Sequence, residues 1–240
     1  MKNLLLVIFF LSGMVLFVQM LQAQTVDEVI NKYNDARGGK EKLKSIQSIY
    51  MEGLRQMMGN EVPVKMIKVN GKLSRTEFEM MGQSGFTIVT PEKGWSFIPM
   101  RSQATEEIPA DRLKMMQGEL DIAGPLVDYT AKGNKVELTG KDTVNGNTVY
   151  VVKLIPAAGN ETFYYIDAKT NLVIKTKTMV PARGNAPARE VITEFSDYKS
   201  VDGIALPHTI NIPGTGGMSG SMTFDVIKIN APVADALFKP

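Results

Sequence analysis

The 240-residue chain has no cysteine and one histidine. No disulfide can staple it, no thiol can act as a nucleophile, and thiolate metal sites are excluded. His208, in Leu206-Pro207-His208-Thr209, has no second imidazole with which to share a metal and reads as a structural side chain at a strand start. An excess of charge of either sign is lacking too, because 27 Lys+Arg oppose 25 Asp+Glu. A nucleic-acid binder carries a basic stripe, so that partner class is excluded. The carboxylates are scattered among strand positions and nominate no acid–base pair. Gly214–Ser221 is rich in glycine but lacks the Lys-Ser/Thr ending of a phosphate loop, and Ser221 stands where a nucleophile elbow needs glycine. These absences predict a protein that is not an enzyme and needs neither cofactor nor metal.

Charge is also missing between Lys2 and Asp27. A basic head, an apolar run over Leu4–Met20 and a small residue at Ala23 before Gln24 have the layout of a secretory signal peptide. The expected division is a leader over 1–23 and a single domain over 24–240, exported to the periplasm. The alternative is an uncleaved N-terminal membrane anchor. Either way, the domain must be held by its apolar core.

What the chain does have is strand rhythm. Ser48–Met57, Val62–Val69, Leu73–Met81, Phe86–Thr90 and Trp95–Pro99 are short runs rich in apolar residues, separated by Gly, Asn and Pro. After an interruption the rhythm resumes with Lys135–Thr139, Thr148–Ile155, Thr162–Asp167, Leu172–Val180, Glu190–Tyr198, Ile204–Ile212 and Met222–Ile229. Asn70-Gly71, Asn145-Gly146 and Asp202-Gly203 are hairpin signals, because tight hairpin turns need positive φ. Thr25-Val26-Asp27-Glu28 is a capping box, and Val26, Ile30, Tyr33 and Ala36 follow at helical spacing until Gly38-Gly39. Between the two strand series, Pro109 stands near a helix start and Leu113, Met116, Leu120 and Ala123 keep a helical period, broken at Gly124-Pro125 and followed by Leu126. Strands, a helical insert and more strands predict one α+β domain with helices on one face of the sheet.

The methionines suggest what that sheet is for. Fifteen occur in the chain, among them the adjacent pairs Met57-Met58, Met80-Met81 and Met115-Met116. Strand neighbours point to opposite faces, so a strand pair sends one Met inward. Flexible, polarizable Met suits surfaces that hold varied apolar ligands, and it also serves as ordinary core filling.

Val69-Asn70-Gly71-Lys72-Leu73-Ser74-Arg75-Thr76-Glu77, Gly94-Trp95-Ser96-Phe97-Ile98-Pro99, Tyr165-Ile166-Asp167 and Asp197–His208, in that order, resemble the bacterial outer-membrane lipoprotein-sorting proteins, the LolA-like group. The resemblance implies a curved, half-open antiparallel β-barrel of about eleven or twelve strands, with an N-terminal helix and a helical lid on its concave face. It implies a periplasmic carrier that holds the acyl chains of lipoproteins or lipids in an apolar cavity and delivers them toward the outer membrane. Its partners would be an inner-membrane lipoprotein-releasing transporter and an outer-membrane acceptor. The expected cavity and lid residues are Leu73, Arg75, Phe78, Met80, Phe86, Ile88, Trp95, Phe97, Leu113, Met116, Leu120 and Leu126. In the family a strand-borne Arg near the cavity mouth holds the lid, and Arg75 matches that position better than Arg55. The competing expectation is an extracytoplasmic binding or sensor module for a partner protein, without lipid transport.

Overall fold

The computed structural model describes residues 24–240 except 58, 81, 100, 183–186 and 214–219. The leader, the Gly184–Ala186 turn, most of the glycine-rich loop and the second members of two Met pairs therefore lie outside the described residues.

Among the described residues, thirteen strands form one antiparallel sheet. In chain order they are β1 (Ser48–Met57), β2 (Asn60–Val69), β3 (Leu73–Met80), β4 (Gln83–Val89), β5 (Gly94–Phe97) and β6 (Glu106–Glu107), then β7 (Lys135–Val144), β8 (Asn147–Ile155), β9 (Thr162–Asp167), β10 (Val173–Val180), β11 (Arg189–Val201), β12 (Ile204–Ile212) and β13 (Gly220–Ile229). The spatial order is β6-β5-β4-β3-β2-β1-β13-β12-β11-β10-β9-β8-β7. Two meanders thus run outward from a seam where the first strand pairs with the last, Ile49 opposite Ile229. The strand beyond the expected twelve is two-residue β6, too short to leave a periodic signal. The sheet is not closed, and β6 and β7 are its edges.

Helix α1 (Val26–Ala36) starts at the expected capping box: Glu28 N–H donates to Thr25 Oγ1 at 3.2 Å, and Thr25 N–H donates to Glu28 Oε2 at 3.0 Å. Its face Val29, Ile30 and Tyr33 packs with Leu126 on Val152, Leu154, Ile166 and Val173. The short helix α2 (Lys40–Lys44) and the insert bring Leu43, Ile46, Ile122, Ala123 and Val127 onto Ile49, Val64, Ile204, Leu206 and Phe224 beside the seam. Helix α3 (Ala110–Met116) and the following 3-10 turn lay Leu113 and Leu120 on Val89 and Ile108. Among the described residues, the three α-helices therefore share one face, the inner face of the sheet.

Gly53 permits the seam. A Cβ there would strike the Thr223 carbonyl oxygen, at the point where the β1–β13 register shifts by a bulge. On the outer face, Ile67, Leu73 and Ile88 are covered by Val233, Leu237 and Phe238 of the C-terminal segment, which straps the first meander from outside.

Candidate ligand-binding concavity

Cross-strand register decides which residues can form a site. Val69 pairs with Leu73 across the Asn70-Gly71 turn, so Ile67 faces Arg75 and Met66 faces Thr76. Directly opposed residues share a face. Ile49 and Met51 lie on the inner face with the helices, and Met51 opposes Met66, so Met66, Thr76, Phe78 and Met80 point inward. Leu73, Arg75, Phe86, Ile88, Trp95 and Phe97 point outward.

Half of the expected site is thereby corrected. Phe78 and Met80 line the concave face, and Leu113, Met116, Leu120 and Leu126 sit in the insert that covers it. The other six belong to the outer face, because a one-residue change of parity sends a whole strand's alternate set to the other side. The tilted Phe86–Phe97 pair, 6.2 Å between centroids, stacks outside the barrel.

Arg75 is corrected with them. Its Nη1 donates to the carbonyls of Leu237 at 3.1 Å and Lys239 at 2.8 Å, its Nε donates to Glu77 at 2.6 Å, and it lies 5.3 Å over the Phe86 ring. It does clamp carbonyls, but those of the C-terminal strap. The arginine that reaches the insert is Arg37, at the end of α1: Nη1 donates to Ala123 O at 2.8 Å and to Tyr33 Oη at 3.3 Å. Arg55 is on the inner wall between Val62 and Met222, and burial lowers its pKa from the ordinary guanidinium value.

Near the seam, Met51, Met66, Met222 and Ile210 pack against the core while staying only partly buried. These methionines were missed as site residues. Counting the three-residue Asn70–Lys72 turn would have placed Met66 opposite Thr76, and the pairing of Met57 with Asn60 across the preceding turn sets Met66 across from Met51.

The insert is docked at its near end. Gly71 N–H donates to Leu120 O at 2.8 Å, Ser74 Oγ to Glu119 at 3.1 Å and Gln117 Nε2 to Pro91 O at 2.7 Å. Lys132 holds Asp121 at 2.6 Å and the Gly124 carbonyl at 2.9 Å. Gly124, at φ 92°, adopts a backbone conformation open to glycine, and Pro125 follows. Of the Met115-Met116 pair, Met116 joins the cluster beneath and Met115 is exposed.

No protein-family model matches the sequence, and no curated protein matches it either. Solved structures do match in shape. The LolA superfamily protein NE2245 from Nitrosomonas europaea superposes with a TM-score of 0.58 at 12% identity, over 91% of this chain and 99% of that one. A DUF1329 family protein from Desulfovibrio piger gives 0.57 at 13%, over 90% and 98%. An outer membrane lipoprotein-sorting protein domain from Vibrio parahaemolyticus gives 0.53 at 14%, over 88% and 94%. An unclosed antiparallel sheet wrapped round helices on one face defines the class. The fold is LolA-like.

Proposed function

We propose that the chain is an exported, non-enzymatic carrier that shelters an acyl chain of a lipoprotein or lipid on its inner face and passes it toward the outer membrane. The observation that carries this reading is the set Met51, Met66, Met222 and Ile210, inner-face apolar side chains that stay partly buried beneath a helical insert. A core that existed only to hold the fold together gains by sealing such residues completely. Each buried methylene of a ligand is worth about 0.8 kcal/mol, so a long chain can bind even after ordering costs. None of the described helices is long and apolar enough to cross a membrane. The insert over Leu113, Met116, Leu120 and Leu126 is the segment that moves to admit the chain, bending at Gly124-Pro125. A transporter would load the carrier at the inner membrane and an acceptor would unload it at the outer.

The test is binding of a fluorescent long-chain acyl probe. Met66→Asp, on the inner wall, is expected to weaken binding at least about tenfold, the effect of some 1.4 kcal/mol. Leu54→Asp, on the exposed outer face, is expected to leave it unchanged. Equal binding by both variants and the wild type refutes the concavity as the site.

A further inference from the structure

The inner wall is not chemically uniform. Around the seam it presents Met51, Met66 and Met222. Across β9–β12 the inner positions include Tyr164, Thr176 and His208, the Tyr198 hydroxyl reaches the Val173 carbonyl beside them, and α1 roofs them with Tyr33, Asn34 and Arg37. A carrier that sheltered hydrocarbon alone would have no use for this, because a buried polar group without a partner costs free energy.

Some of these groups are already committed. Tyr198 Oη donates to Val173 O at 2.7 Å, and His208 Nδ1 lies 3.2 Å from Leu206 O. Others are not. Asn34 is 4% exposed, on the sheet-facing side of α1, and its Oδ1 has no hydrogen-bond partner. Arg37 lies 5.4 Å over the Tyr33 ring and donates through Nη1, and among the described residues its Nε and Nη2 make no hydrogen bond. Tyr164 keeps part of its surface accessible although burial pushes its phenol well above the ordinary value. The Asp121 carboxylate is held by Lys132 at 2.6 Å.

We propose that this end of the concavity is a headgroup site, taking the anionic head of an acyl amphiphile against Arg37 while the chain runs across to Met51, Met66 and Met222. The inference rests on the carrier reading and narrows its cargo. The open donors of Arg37 suit a carboxylate or phosphate oxygen, and a guanidinium can engage either in a bidentate fashion. The buried, unpartnered Asn34 oxygen calls for a donor in addition. A glycerol phosphate carries a hydroxyl that supplies one, and a bare carboxylate does not. The ligand class is therefore an acylated glycerol phosphate ahead of a fatty acid, and a fatty acid ahead of a neutral alcohol.

The experiment is displacement of a fluorescent acyl probe from the mature protein by lysophosphatidate, palmitate and hexadecanol, all below micelle-forming concentrations, with inorganic phosphate as a separate arm. Lysophosphatidate is expected to displace the probe at a concentration about tenfold or more below that of hexadecanol, the factor one charge-assisted hydrogen bond gives. Arg37→Leu is expected to bring that ratio toward one. Asn34→Leu, which replaces a buried unpaired group by an apolar one of similar size, is expected to reduce the ratio as well. If nothing with an acyl chain binds, the carrier reading itself fails. If the three compounds bind alike, or if Arg55→Leu levels them and Arg37→Leu does not, the carrier stands and the headgroup site is overturned. Displacement by inorganic phosphate at equal concentration assigns the site to a free anion and also overturns it.

Discussion

Replacing Arg75 with Ala separates a tail clamp from a lid latch. The guanidinium makes two hydrogen bonds to main-chain carbonyls of the C-terminal strap, Leu237 and Lys239, and covers the Phe86 ring. A hydrogen bond from a charged donor is worth about 1.5–3 kcal/mol, and exposure at Lys239 discounts one of the two. Losing both should therefore loosen the strap by about 2–4 kcal/mol. That raises the population of the detached strap by roughly thirtyfold to nearly a thousandfold. Hydrogen exchange reads this directly at the amides of Leu237 and Lys239, which bond within the strap to Ala234 and Ala236. Global melting should fall less, because the strap can open while the sheet stays intact. The informative comparison is the insert. In Arg75→Ala, amides around Leu113 to Leu120 should exchange as in the wild type. Faster exchange there, with an unchanged strap, would falsify the assignment of Arg75 to the tail.

Two further perturbations test the frame of the fold. Gly53→Val drives a side chain into the Thr223 carbonyl at the seam, and backbone cannot give way as a flexible side chain can. The variant is expected to lose about 3 kcal/mol or more, read as a lower urea midpoint or loss of soluble protein; wild-type stability would show that the seam is looser than described. Asp167 accepts from Lys169 N–H, Thr170 N–H and Thr170 Oγ1 at the β9–β10 turn. Burial favours its neutral form, but these hydrogen bonds outweigh that and lower its pKa below the ordinary 3.8. A depressed carboxyl stabilises the fold above the unfolded-state value and loses that contribution as pH falls through the folded-state value. Asp167→Ala should accordingly cost about 2 kcal/mol near neutral pH and progressively less below about pH 4, in denaturation curves taken at several pH values. A cost that stays constant down to pH 2 assigns the loss to packing.

The strand series was legible because each run is bounded by a turn residue with a physical duty. Asn145, Asn171 and Asp202 all adopt positive φ in the structure. The helix start was legible because the capping box is a short-range pattern that needs no tertiary partner. What was not legible was the parity of the third, fourth and fifth strands. Both faces of that meander carry large apolar side chains: Phe78 and Val89 inside, Leu73, Ile88 and Trp95 outside. Alternation alone cannot then say which face holds the helices. The outer set is apolar because a distant segment, Val233 to Phe238, covers it. Nothing local to the strands announces that cover. The end of β7 was missed for a different reason. At Gly140, with φ 138°, the register against β8 shifts, which breaks the alternation on which strand detection relies.

Pairing the first strand with the last has a consequence for the order of events in the cell. Each meander is built from neighbours in sequence and can assemble as its residues emerge. The joint between them waits for β13, whose Ile229 meets Ile49 only after nearly the whole chain is available. Contacts of such long sequence separation form slowly and late. A chain that emerges from its N-terminus would therefore hold two separate half-sheets, and no finished concavity, until β13 had emerged.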